Sequence, residues 1–144
     1  MAITTNAIAS SFKKELLEGK HDFTASTGSA FKLAMYNSNA VLGKSTTSYT
    51  TGSEVTSPAG YTAGGKALVN TGTSVSSSVA ITTFGNLSFT NVTLTARGAL
   101  IYNTSDAVSA VAVLDFVDNK TATAGTFTIQ FPAFTTSAAI LRIS

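Results

Sequence analysis

The sequence predicts an all-β protein: an antiparallel β-sandwich of jelly-roll type that carries one short N-terminal helix. Three observations predict this fold. Apolar and polar residues alternate in several short runs, Gly, Asn, Ser and Thr turns separate the runs, and no helical pattern lies between them. Strands without crossover helices must pair mostly antiparallel. A small closed barrel is the alternative packing. The 144 residues suffice for one core, and we expect residues 1–19 to form an arm and residues 20–144 a single sandwich domain.

The first element is a helix predicted over residues 5–18. Ile8, Phe12 and Leu16 recur every four residues and therefore share one stripe. Gly19 can adopt the left-handed conformation that ends a helix. Because so short a helix is marginal in water, its stripe must pack on its own sandwich or on a neighbouring subunit. We predict the second arrangement, in which residues 1–19 dock beyond their own sandwich and the stripe is an interface.

About eight strands follow. The predicted strands are residues 31–36, 66–70, 79–84, 87–95, 99–102, 111–116, 126–131 and 139–143. The parity of apolar residues changes at Asn91, which predicts a β-bulge there. Turns are predicted at residues 103–106 and 118–120. The predicted core consists of Leu33, Val92, Leu94, Leu100, Val111, Val113, Leu114, Phe127 and Ile129.

Two stretches lack a clear period and are expected to be loops. Residues 71–78, which read TGTSVSSS, predict a flexible connection. Residues 37–65 are too long for an idle loop in a compact domain, so a functional loop is expected. Its Tyr49 and Tyr61 are candidate interface residues, because tyrosine combines apolar area with one polar tip.

Composition excludes several classes of function. The chain has no Cys and one His, which excludes a disulfide framework, a thiolate site and a multi-histidine metal site. The net charge of +2 is too small to predict nucleic-acid binding. No apolar run is long enough to span a membrane, and the first thirty residues lack the pattern of a secretory signal. We therefore expect neither a nucleic-acid nor a membrane partner.

No motif predicts catalysis. His21 and Asp22 are neighbours, but adjacent residues of an extended chain point to opposite sides, so His21 is expected to be an ordinary linker residue. The glycine pair before Lys66 is not followed by the Ser or Thr and the helix that a phosphate-binding loop needs. Arg97 interrupts an apolar context, which favours an ion pair with Asp106 or Asp115 or, alternatively, a contact between subunits. No catalytic residue, cofactor or metal site is predicted.

Several longer strings resemble a known family. The chain is similar, from about residue 11 to its C-terminus, to small virion proteins of tailed bacteriophages. The strings that carry the resemblance are SFKKELLEG (11–19), HDF (21–23), FKLAMY (31–36), GYTAGGK (60–66), ARGALIYN (96–103), VAVLDF (111–116) and TAGTFTIQFP (123–132). One departure is Val117, where a glycine would be usual after the Asp-Phe pair.

The resemblance implies a non-enzymatic role in virion assembly. We expect a capsid decoration (cement) protein that binds the major capsid protein on the exterior of the virion, after synthesis in the host cytoplasm. Self-association into a trimer or dimer is also expected. A neck, tail or baseplate component is one alternative, and a host-binding or glycan-binding module is the other. Low charge and a mean hydropathy of +0.27 agree with a chain that buries apolar surface between subunits.

Overall fold

The computed structural model of the chain describes residues 3–56 and 60–144. These residues form two antiparallel sheets and one short helix, which confirms the predicted all-β sandwich. The elements are β1 (Ala7–Ile8), α1 (Ser10–Leu17), β2 (Phe31–Tyr36), β3 (Lys66–Ala67), β4 (Asn70–Ser76), β5 (Val79–Phe84), β6 (Leu87–Asn103), β7 (Ser109–Ile129) and β8 (Leu141–Ile143). Within the described ranges, no helix is long and apolar enough to cross a membrane.

The two sheets differ in width. The larger has the order β1-β7-β6-β2-β3 and the smaller the order β4-β5-β8, with every neighbouring pair antiparallel. Seven of the nine predicted core residues are buried, while Leu114 and Phe127 are partly buried at its margin. The largest fully buried side chains are Ile3, Phe12, Phe31, Leu33, Met35, Tyr36, Leu100, Ile101, Val92, Val111, Val113 and Asn103.

The long hairpin of β6 and β7 forms the central part of the larger sheet. It merges strands that the sequence pattern separates, because register shifts let one continuous ladder change face. The predicted bulge is confirmed: Asn91 has a φ of +50°, and the register shifts between Phe89 and Val92. The turn predicted at residues 118–120 is wrong. Ala96 pairs with Lys120 and Gly98 with Asp115, so the chain bulges there without reversing.

The N-terminal segment differs from its prediction. Ile8 lies in a strand opposite Ala112, and the helix begins only at Ser10, so the three-residue stripe is not one helical face. Ile3 and Phe12 are buried in the core of their own chain. Residues 3–17 therefore pack against the sandwich of their own chain, and docking of this segment on a neighbouring subunit stays a prediction. The left-handed Gly19 at the helix end is confirmed, with a φ of +72°.

Residues 71–78, predicted to be a flexible loop, instead form most of β4 and the turn that joins it to β5. Ser77 and Ser78 both have positive φ values, +50° and +63°, as the central residues of a tight two-residue hairpin do. The pattern misses this strand because β4 is a mostly exposed edge. The strand depends on backbone pairing and on bonds such as Thr82 Oγ1 to the Gly72 carbonyl (2.8 Å), and little on apolar alternation.

Gly65 allows β3 to return to β2, and we predict that Gly65→Ala unfolds this corner. A Cβ at Gly65 would lie 1.8 Å from the Leu33 carbonyl oxygen, at a φ of +79° that disfavours other residues. We expect the free energy of unfolding to fall by about 3 kcal/mol or more. Gly43→Ala is the matched control, since nothing lies within 4 Å of its Cβ; it should change stability by less than about 1 kcal/mol. Urea denaturation of both variants measures the difference, and equal midpoints would contradict the prediction.

Val117 lies in the bulge of β7 with a φ of +70°, a conformation that is strained for a β-branched residue. Its side chain is 71% exposed, so it contributes little packing. We therefore predict that Val117→Gly stabilises the fold by about 1 kcal/mol through relief of backbone strain.

Val75 provides the matched control, because it is also 71% exposed but lies in the regular strand β4 without a positive φ. Val75→Gly should destabilise the protein by about 1 kcal/mol, since glycine costs backbone entropy in a strand. Thermal melts that showed the same sign of change for both variants would rule out strain at Val117.

Candidate interaction surfaces

The irregular segment of residues 37–65 is organised around the carboxylate of Glu54, which is only 7% exposed. Its Oε1 accepts hydrogen bonds from the Tyr61 hydroxyl and the Gly64 N–H, both at 2.7 Å, and its Oε2 accepts one from the Tyr49 hydroxyl at 2.6 Å. Bonds to an ionised acceptor are among the stronger hydrogen bonds in proteins. Glu54 therefore ties the middle of the segment and its C-terminal end to one point.

Tyrosines attach this segment to the larger sheet. The Tyr61 hydroxyl also accepts the Met35 N–H of β2 at 2.9 Å, and Tyr49 stacks on Tyr102 of β6 with ring centroids 4.7 Å apart. Tyr102 donates to the Gly64 carbonyl at 2.6 Å, and Tyr36 donates to the Thr50 carbonyl at 2.6 Å. All four tyrosines of the chain thus belong to one hydrogen-bonded cluster.

This cluster engages the two predicted interface residues Tyr49 and Tyr61 within their own chain. Tyr61 is buried and Tyr49 half-buried, and both hydroxyls are engaged with Glu54. The segment therefore uses its aromatic residues to close its own core. Of its other apolar residues, Val41 is exposed while Leu42 is buried. Residues 57–59 of the predicted loop lie outside the described residues.

Arg97 forms the ion pair that the sequence predicts, and its partner is Asp115. Both side chains are mostly buried beside the bulge of β7. Burial alone would raise the pKa of Asp115, but hydrogen bonds from the Val117 N–H and from Arg97, together with the Arg97 charge, lower it. Arg97 is thus engaged within its own chain.

His21 lies in a third polar cluster, beneath helix α1. Its Nε2 is 2.7 Å from a carboxylate oxygen of Glu15, and its Nδ1 is 3.0 Å from the Asn103 side-chain nitrogen. Asn103 has a fixed orientation, because its oxygen accepts the Ser105 N–H at 2.8 Å. Its NH2 group must then donate to Nδ1, which places the imidazole hydrogen on Nε2, directed at Glu15.

This hydrogen-bond pattern decides whether the group could hold a metal ion. Ligand atoms of Glu15, His21 and Asp106 lie within 4.8 Å of one another. A metal on Nε2 would require the hydrogen on Nδ1, where it would face the Asn103 NH2 group donor to donor. The cluster therefore holds α1 against the sheet by hydrogen bonds. This role is compatible with the prediction that His21 is an ordinary linker residue.

An open apolar cleft lies between α1 and the smaller sheet; we call it the helix cleft. Its volume is about 920 Å³, and its lining includes Phe12, Leu16, Leu17, Ile81, Leu141 and Ile143. Two of these stand out in solvent, since Leu17 is 93% and Ile143 61% exposed. The cleft also brings together Ile8, Phe12 and Leu16, the three predicted interface residues of the N-terminal segment.

A second, smaller groove runs along the free edge of β7, and we call it the ribbon groove. It has a volume of about 600 Å³ and is lined by Leu114, Phe116, Ala122 and Phe127, with Lys120 and several threonines. Beyond its pairing with β1 at residues 112–113 and a single bridge from Ser109 to Ser48, this side of β7 has no neighbouring strand among the described residues. Unpaired strand edges are natural sites for association.

The structure thus brings together some predicted site residues and separates others. Ile8, Phe12 and Leu16 share the helix cleft, Tyr49 and Tyr61 share Glu54, and Arg97 lies apart from both groups. Sequence reasoning missed Glu54, Leu17 and Ile143. Leu17 carried a usable signal, since it is a leucine beside the predicted helical stripe but not on it.

Comparison of the chain with models of protein families, with curated proteins and with solved structures found no match. The two-sheet antiparallel sandwich therefore defines its class by architecture alone.

The tyrosine cluster generates a spectroscopic prediction. Burial raises the pKa of each of the four tyrosines above the ordinary value of 10.0, and the Glu54 carboxylate raises it further. In the folded protein we expect no tyrosine to ionise as the pH passes 10. Unfolded tyrosines do ionise there, so stability falls as the pH rises above about 10, and all four should ionise together with unfolding.

The ultraviolet absorbance of tyrosinate, recorded beside circular dichroism, measures this. The same titration in denaturant is the control and should show all four tyrosines ionising near pH 10. A tyrosine that titrates reversibly near pH 10 while the dichroism stays native would contradict the closed cluster.

Proposed function

We propose that this chain is a non-enzymatic structural protein of a bacteriophage virion, and that it decorates and stabilises the capsid by binding the major capsid protein. The proposal rests on one observation, which is that the polar clusters and the apolar grooves of the molecule have different roles. The three polar clusters are occupied with internal hydrogen bonds and ion pairs, whereas apolar residues line two open grooves.

This arrangement suits adhesion better than turnover. A catalytic site needs a nucleophile, acid or base that is free to face a substrate. Here Glu54, His21 and Asp115 each face partners within the chain. Exposed apolar grooves, in contrast, are the surfaces that proteins use to contact one another.

The ribbon groove is the surface we assign to the capsid. Its strand edge has no strand partner beyond β1 among the described residues, and its half-buried Phe116 and Phe127 lie 6.0 Å apart between ring centroids. A strand edge beside apolar pockets supports docking by strand addition, in which backbone bonds give affinity and pockets give specificity. Binding the assembled shell would stabilise it by mass action.

The resemblance to small phage virion proteins and the low charge support the same proposal, and they also leave the neck, tail or baseplate as a second location. A sandwich of this size with exposed apolar grooves serves equally well in those assemblies.

We predict that particles carry this protein at symmetry-related positions across the capsid exterior, on the order of hundreds of copies; a neck or tail part would number about a dozen to some tens. Cryo-electron microscopy of the particle gives both position and copy number. Copies confined to the neck or tail would replace the decoration role with the second location, and absence from the particle would overturn the virion role.

A pair of variants tests the surface. Phe116→Ser should lower occupancy and the temperature of particle disruption, because it removes apolar area from the ribbon groove. Val75→Ser, on the exposed face of the other sheet, is the control and should leave both unchanged. Equal occupancy of the two variants would place the capsid contact elsewhere.

A further inference from the structure

We propose that the helix cleft is a self-association site in which two copies of this chain dock about a two-fold axis, each inserting Leu17 into the other's cleft. The proposal is independent of the capsid role, because it uses a different surface and concerns the protein alone. It rests on the shape and on the charges of the face that carries Leu17 and the helix cleft.

Leu17 is the projecting part of this face. It is the last residue of α1, and its exposure of 93% is the highest among the exposed large apolar residues. Its neighbour Leu16 turns toward the core and is half-buried, so the helix presents one leucine inward and one into solvent. A leucine held on a rigid helix end is a preformed anchor, with little order left to lose on binding.

The helix cleft is the receiving part of the same face. Its floor is apolar, formed by Phe12, Ile81 and Leu141, which are buried. Its far wall carries Ile143, which is 61% exposed and stands across the opening from α1. With a volume of about 920 Å³, the opening is large enough to receive a leucine side chain.

Because the anchor and the cleft lie on one face, a two-fold rotation engages both at once. In a two-fold interface, each residue that contacts a partner residue is contacted in return. One rotation therefore buries both Leu17 side chains and both Ile143 side chains. A reciprocal contact of this kind fills the cleft and also gives Leu17 a pocket.

The charges around the cleft are also self-complementary. Lys13 and Arg142 lie at the lining, and Lys13 has no ion pair among the described residues. The acidic side chain of the lining, Asp22, already accepts the Thr24 N–H and hydroxyl. Glu18 follows Leu17 directly, so an inserted Leu17 carries Glu18 to the partner's basic rim. The existing pairs of Glu18 with Lys14 and Lys20 are exposed, and such pairs are weak enough to be shared or exchanged.

Sedimentation velocity over a range of micromolar concentrations tests the proposal on the full chain. We expect the native protein to shift from monomer to dimer as its concentration rises. Leu17→Asp should remain a monomer throughout while its thermal melt is unchanged, because the side chain contributes almost nothing to the folded monomer. Val41→Asp, at another exposed apolar residue, is the matched control and should dimerise like the native protein.

Charge exchange tests the two-fold arrangement itself. Lys13→Glu and Glu18→Lys should each weaken dimerisation by roughly tenfold or more, since each places like charges together at both ends of the interface. An equimolar mixture of the two variants should restore it, because the mixed dimer again pairs opposite charges at both ends.

Each other result overturns the proposal. A native protein that stays monomeric leaves the helix cleft to a different partner. An oligomer that Leu17→Asp does not disturb uses another surface. Failure of the mixture to restore the dimer excludes the two-fold arrangement, even if Leu17 matters.

Discussion

The fold depends on one buried carboxylate. Glu54 lies in the segment 37–65, whose described residues form no helix and no multi-residue strand, and its three hydrogen bonds gather Tyr49, Tyr61 and the Gly64 N–H around one point. Without that acceptor, two tyrosine hydroxyls would be buried without their partner, which is costly. The segment would also lose its attachment to β2 and β6, and with it the cover over Phe89 and the far end of the hairpin.

Smaller sets of polar groups play the same part elsewhere in the sandwich. They join elements that apolar packing alone would hold less firmly. His21 and Asn103 hold the linker after α1 against the end of β6, and Arg97 and Asp115 close the bulge of β7. The His21–Asn103 and Arg97–Asp115 contacts each join residues far apart in sequence. A charged fraction of only 11% is enough, because most of these bonds involve hydroxyls, amides and backbone groups.

How much of the fold the sequence predicts depends on whether an element is held by apolar packing or by polar and backbone bonds. The first part of β6 buries alternate residues, from Leu87 to Phe89 and again from Val92 to Ala96, and it is predicted because burial of one face imposes a period of two. The bulge at Asn91 is predicted for the same reason, since it moves the apolar side chains to the other parity. Strand β4 is missed because it is a mostly exposed edge held by backbone bonds. The inward role of Tyr61 is missed because its partners, Met35 and Glu54, are defined only by the folded chain. The helix stripe misleads because Ile8 fits a strand as well as a helix.

The position of the helix cleft has a consequence for the order of events in synthesis. One wall is built from α1, near the beginning of the chain, and the other from β8, at residues 141–143. A nascent chain emerges N-terminus first. Helix α1 is therefore exposed to other nascent chains before its own cleft exists. Leu17 then has no receptor on another unfinished chain, and any pairing through this face must wait until β8 has joined β5. For copies that pair as proposed, the architecture separates translation from association in time, because only a finished sandwich has both walls of the cleft.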